Sequence, residues 1–377
     1  MPGEIFTNDL EGNRVAVKRL EANQAEKTLG IMMAADGNMD AQIEYLTGKA
    51  EEFANNIRLP SPTNKYENWM AYKQTICKAM EYPMPVTELT QKQWDDIYWK
   101  INAETLPKCG LVRSFPKNVL YGPIKYQGLG GPMSPKHNQD LEQLKCFVQQ
   151  VNSETVCGTR MRIATEQLRL ETGFPGPFTD APYHRLDQCT TSSWIKALWH
   201  KCHRFDISIK DSFGDFQLAR LNDIFLMPLF EKMVTCTIEL AMLNACRIFL
   251  EVVTLADLCT IAGDRISEHA YKGLRQGQSL HNYRWPRHPP SLPEKYWNLW
   301  QTKLVELFCQ FGTKDHLLSK NLGHWLIDPE KHWNWFMDPT TGHLFHRSPD
   351  NDYTVYVSNT ASRQASSNTV YRYDHYQ

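Results

Sequence analysis

From Thr105 to Gln139 the chain reads TLPKCGLVRSFPKNVLYGPIKYQGLGGPMSPKHNQ. Pro107, Gly110, Pro116, Gly122, Pro123, Gly128, Gly130, Gly131, Pro132 and Pro135 interrupt it, so no long helix can run through it. Whatever folds on either side is joined by an irregular backbone. The stretch contains Lys108, Arg113, Lys117, Lys125 and Lys136 and not one Asp or Glu. Phe115, Tyr121 and Tyr126 sit between the cations. Spaced cations with aromatic faces between them suit a track for a phosphate backbone and its bases. The competing reading is a long structured connector whose charges are simply solvated. The track requires these five cationic groups to share a face and to be free of carboxylate partners.

That bias is local. Lys+Arg 41 against Asp+Glu 42 leaves a net charge of −1, so nothing global pulls the chain toward nucleic acid or membrane. Hydrophobic residues at 42% and aromatics at 11% supply enough material for real cores. The 10 Cys form no CxxC pair, which argues against a disulfide framework or zinc ribbon and fits a reducing compartment. The opening residues lack the cationic and apolar regions of a secretory signal. The richest apolar run, near Ile248 to Leu258, is broken by Glu251 and Asp257. The expectation is an intracellular protein, cytoplasmic or nuclear, with no membrane partner.

The expected fold is mainly α with minor β, in six segments. Residues 1–38 carry a hairpin turning at Glu11-Gly12-Asn13 and a short apolar strand from Lys27 to Met33. Residues 39–104 carry three helices. The first is capped at Asp40 and has Ile43, Leu46, Ala50, Phe53 and Ile57 at helical spacing. The second runs from about Glu67 to Glu81. The third opens on the capping box Thr90–Gln93, with Trp94, Ile97, Tyr98 and Ile101 on its apolar face. The basic loop, 105–139, follows. Residues 140–328 form a larger helical domain. Residues 329–358 read as a three-stranded meander of short aromatic strands, and 359–377 as a disordered tail.

Candidate chemistry is sparse. Asp95 and Asp96 are adjacent carboxylates, but neighbours on a helix point about 100° apart and do not converge on one ion. His200, Cys202 and His203 could donate to a metal, but no second ligand pair lies nearby in the sequence. The order His281-x-x-Arg284, His324, Tyr353 has the residue types of a tyrosine-recombinase site, in which a tyrosine attacks a phosphate held by Arg and His. HNYR falls in a Pro-rich turn, where that family has a helix. No catalytic residue and no metal ligand is therefore assigned.

Four phrases together resemble one family: KTLGIMMAADGNMDAQIEYLTGKAEEF (Lys27 to Phe53), MEYPMPVTELTQKQWDDI (Met80 to Ile97), LPKCGLVRSFPKNVLYGPIKYQGLGG (Leu106 to Gly131) and WNWFMDPTTGHLFHR (Trp333 to Arg347). They are similar to the part of retroelement reverse transcriptases that follows the catalytic palm, of the type found in eukaryotic microbes. The resemblance implies that Leu29-Gly30 is the primer-proximal strand that closes the palm. It implies that the helices from Asp40 to Ala103 are a thumb gripping an RNA or DNA template–primer. Lys108, Arg113, Lys117, Tyr121, Lys125, Tyr126 and Lys136 would then touch nucleic acid. No aromatic-x-Asp-Asp turn occurs in the sequence, so the two Mg²⁺ ions of such enzymes are expected only with an intact palm, supplied by an upstream polymerase domain. The function implied is template–primer binding without catalysis. The alternative is a helical protein-interaction or scaffold domain with no nucleic-acid role; the recombinase is a remote third.

Overall fold

The computed structural model describes residues 5–8, 11–17, 19–59, 63–131, 133–210, 216–260, 262–275, 283–311 and 316–326, together with the backbone of four C-terminal strands. The chain divides into two compact units, Met1–Thr159 and Arg160–Gln377. The division does not fall at residue 140, where the sequence began its second helical domain. The basic segment and the helix after it belong with the helices of residues 39–104.

The first unit opens with two antiparallel hairpins. β1 (Phe6–Asn8) pairs with β2 (Arg14–Ala16), and β3 (Ala25–Thr28) with β4 (Ile31–Ala34). The second hairpin corrects the single apolar strand expected over Lys27–Met33. Leu29 at φ 50° and Gly30 at φ 87° form its two-residue turn. Successive positive φ values match the right-handed twist of the flanking strands. Their signal, Leu-Gly, is not the usual Asn-Gly.

α1 (Asp40–Arg58) begins one residue earlier than expected, with Asp40 inside the helix rather than capping it. Met39 occupies the cap position, and the Asn38 side chain accepts from the Asp40 amide instead. Gln42, Leu46, Ala50 and Ala54, four residues apart, form its buried stripe. α2 (Lys65–Ala71) starts on a capping box made by Asn64 and Glu67. It continues through a π-helical turn at Tyr72–Ile76 into α3 (Cys77–Glu81). α4 (Gln91–Lys108) has the expected Thr90–Gln93 box and runs one turn past its expected end, through Pro107. Leu46, Tyr72, Ile76, Met80, Trp94, Ile97 and Ile101 meet in one core. α5 (Lys117–Leu120) is a single turn, and α6 (Pro135–Gln150) starts with proline at a position where no amide is needed. The Trp94 indole donates to Gln139 Oε1 at 2.7 Å, inside the protein, and so ties α4 to α6.

The division between units falls within α7 (Val156–Thr172). The second unit continues with α8 (Tyr183–Leu186), α9 (Trp194–Arg204), α10 (Leu226–Met233), α11 (Thr237–Leu250), α12 (Glu268–Lys272) and α13 (Glu294–Phe308). Trp199, Phe230, Leu243, Trp300 and Leu304 are fully buried in its core. So is Arg247, whose guanidinium donates to Asn244 Oδ1 and to the carbonyls of Leu170, Glu171 and Val252. A buried cation is tolerable only with such satisfaction.

At the C-terminal end, β5 (Trp335–Met337), β6 (Leu344–Arg347), β7 (Tyr353–Tyr356) and β8 (Val370–Arg372) pair antiparallel in that order. β5, β6 and β7 fall within residues 329–358, where three short aromatic strands are expected; their turns lie outside the described residues. β8 corrects the disordered tail expected over 359–377. The rest of that tail lies outside the described residues.

Candidate nucleic-acid interface

The basic segment is a closed loop rather than an open ribbon. The Leu129 amide donates to the Val119 carbonyl at 2.9 Å, Gly130 to Gly122 at 2.9 Å and Gly131 to Leu120 at 3.0 Å. These bonds fold residues 119–122 onto 128–131. Two glycines make the crossing possible. A Cβ on Gly128 would lie 2.1 Å from the Gly122 oxygen, and one on Gly131 would lie 2.3 Å from the Leu120 oxygen. Only a residue without a side chain permits that approach. The Pro/Gly pattern therefore encodes a compact loop packed on α4.

Its cations have different fates. Lys136 has a side chain only 14% exposed, held 2.9 Å from Glu88 and 3.2 Å from Asp140. Lys117 lies 2.8 Å from Asp95, and Arg113 3.9 Å from Glu104. Glu104 is itself engaged by Arg58, whose hydrogen bonds hold its carboxyl below the ordinary range. Lys108, in the last turn of α4, makes no ion pair among the described residues. Lys125 sits 4.7 Å over the ring of Tyr126 on an exposed turn. Tyr121 faces inward, with burial raising its hydroxyl pKa. Three of the five cations thus have carboxylate partners, which corrects the reading of one continuous, unpartnered phosphate track. Their partners come from α4, α6 and the turn before α4, so the acid-free composition of the loop is offset by acids elsewhere in the chain.

The Leu29-Gly30 pair stands differently. Leu29 is 85% exposed at the tip of its hairpin. The Tyr82 hydroxyl donates to the Leu29 carbonyl at 2.9 Å, and Met32 N donates to Gln42 Oε1 at 2.7 Å, so the turn end of the hairpin is fastened to α1 and to the C-cap of α3. Lys27 and Lys49 each lie 4.7 Å from the centre of the Tyr45 ring. The neighbouring ammonium groups of Lys27 and Lys49 lower the pKa of the Tyr45 hydroxyl. Neither lysine has a carboxylate partner among the described residues.

The remaining candidates disperse. Asp95 turns to Lys117 while Asp96 is exposed. His200 and His203 flank Tyr183, with ring centroids 4.8 and 5.8 Å from it, and Cys202 is buried with its thiol pushed up to about 11. His184 Nδ1 comes within 3.0 Å of His203 Nε2, a neighbour the sequence did not reveal. No three His, Cys, Asp or Glu side chains among the described residues are grouped to hold a metal ion. His281 and the Tyr353 side chain lie outside the described residues; Arg284 is in irregular backbone.

Sequence reasoning missed Tyr82, Lys27 and Lys49, because no motif marks a lysine or tyrosine that meets a hairpin only after folding. It also missed Trp99 and Asn102 on α4, which line a cavity against the loop. Their i,i+3 spacing placed them on a common face, a signal that was present but unused. No described helix is long and apolar enough to cross a membrane. No protein family, curated protein or solved structure matches this chain.

Proposed function

We propose that this chain acts as the thumb-and-connection part of a retroelement reverse transcriptase, binding template–primer nucleic acid without carrying the polymerising carboxylates. The observation that carries the reading is the exposed Leu29-Gly30 tip, fastened by Tyr82 to the helices that follow it. A tip presented in this way on a helical bundle is what the resemblance requires of a primer-proximal element. Lys27 and Lys49 beside it, and Lys125 with Tyr126 on the loop, are cations without carboxylate partners among the described residues. They replace Arg113, Lys117 and Lys136 as the leading phosphate contacts.

The test is fluorescence anisotropy of a labelled RNA–DNA template–primer across a salt series. Each lost phosphate contact should reduce the log–log salt slope by roughly 0.9. Lys27→Gln, Lys49→Gln and Lys125→Gln are each expected to do so. The chain alone is expected to bind without Mg²⁺-dependent primer extension; robust extension would refute the non-catalytic assignment.

A second reading is a helical protein-interaction domain in which the loop is only a connector. The ion pairs of Arg113, Lys117 and Lys136 favour it. It predicts no duplex binding at moderate salt, and that outcome would replace the polymerase-derived function.

A further inference from the structure

α4 carries Asp95, Trp99 and Asn102 at i, i+4 and i+7, which sets them along one face. The loop segment containing Arg113, Phe115 and Lys117 stands opposite, and a cavity of about 240 Å³ lies between them. It falls below the roughly 300 Å³ at which drug-sized sites begin, so it suits one planar ring system. Two of its walls are aromatic. Trp99 is 59% exposed and Phe115 half-buried. Asn102 lines the same cavity, is 6% exposed, and its Oδ1 has no hydrogen-bond partner. Its other amide end reaches only the Tyr121 hydroxyl, at 3.5 Å. A buried amide oxygen without a donor is a group that a ligand can satisfy.

The charged side chains of Arg113 and Lys117 are 63% and 57% exposed. Their pairs with Glu104 and Asp95 are solvent-screened and hold weakly. A phosphate can therefore draw on both cations without breaking a buried contact. Within this lining the two cations outnumber the one carboxylate, Asp95, so the local charge favours an anion.

We propose that this cavity receives a single unpaired nucleobase, stacked on Trp99 and Phe115 and read at its edge by Asn102, with the adjoining phosphate at Arg113 and Lys117. The proposal rests on the nucleic-acid reading above and gives the paired cations a role beside the base. Stacking on one aromatic platform gains enough to separate a base from an abasic residue by about tenfold.

The experiment uses the full chain and two template–primer duplexes. One carries an unpaired adenine, the other an abasic residue at the same position. The adenine duplex is expected to bind about tenfold tighter. Trp99→Ala should erase that difference without changing the salt slope; its exposed position lets the variant fold, which a thermal melt checks. Arg113→Gln should lower the slope by roughly 0.9 and keep the base preference. Equal binding of both duplexes by the wild type overturns the pocket while leaving the template–primer function standing. A second arm is independent of duplex binding. Adenosine 5′-monophosphate should shift the NMR resonances of the Trp99 indole and the Asn102 amide. If it shifts neither, the pocket is refuted. If N-acetyltryptophanamide moves them and the nucleotide does not, the cavity takes a protein side chain and the proposal is likewise refuted. If the nucleotide moves them but no duplex binds, the pocket stands and the thumb reading falls.

Discussion

Replacing Lys136 by Met separates a structural cation from a phosphate contact. The substitution keeps the aliphatic stem and removes the charge that faces Glu88 at 2.9 Å and Asp140 at 3.2 Å. The Asp140 side chain is 4% exposed and that of Glu88 38%. Breaking a fully buried pair by losing one partner costs about 3–5 kcal/mol, whereas an exposed pair is worth less than about 1 kcal/mol. With one partner buried and the other half-exposed, Lys136→Met should cost about 2–3 kcal/mol. For a unit of this size that corresponds to a fall in Tm of roughly 5–10 °C. Hydrogen exchange on the full chain, followed in peptides covering Glu88–Thr90 and Pro135–Gln143, should show the loss locally. Combining Lys136→Met with Asp140→Asn should give a coupling of about 1–3 kcal/mol. The salt slope for nucleic acid should not change. A variant that melts within about 1 °C of the wild type and loses roughly 0.9 of slope would show that Lys136 serves phosphate. The structural argument would then be refuted.

Other expectations follow from the same packing. Gln139→Leu removes the acceptor of the Trp94 indole at 2.7 Å and of the Leu89 amide at 3.2 Å. It should cost about 2–4 kcal/mol in urea unfolding, since both donors are buried. Gly128→Ala forces apart a backbone crossing that leaves 2.1 Å for the new carbon. An expected loss of about 1–3 kcal/mol should open the loop to tryptic cleavage after Lys125. The thiols of Cys77, Cys246 and Cys259 are pushed up to about 12 by burial. Raised folded-state values mean that the unfolded chain sheds these protons first, so their contribution is intact below pH 9 and fades as pH rises toward 12. Cys246→Ala should remove about 1.4 kcal/mol of the stability lost between pH 8 and pH 10, measured by urea midpoints. At pH 8 iodoacetamide should label the exposed Cys157 and Cys236 and spare these three.

The sequence by itself determined where most long helices run. Trp94, Ile97, Tyr98 and Ile101 bury one face of α4 as their spacing requires, and Thr90 with Gln93 caps it as a local pattern can. Gly173, at φ 68°, ends α7 as a glycine just past a helix commonly does. These signals are short-range: a helical turn couples residues three or four apart, so adjacent letters report it. Only the tertiary structure decided that Leu29-Gly30 is a turn, because that depends on which segment pairs with which. The same holds for the basic loop. Its composition is acid-free, yet Lys117 meets an aspartate 22 residues back and Lys136 a glutamate 48 residues back. Coulomb energy depends on distance through space, and chain folding sets that distance. A count of charges along the chain therefore describes which groups are present, while their partners, and so their freedom to bind a phosphate, are fixed only when the helices pack.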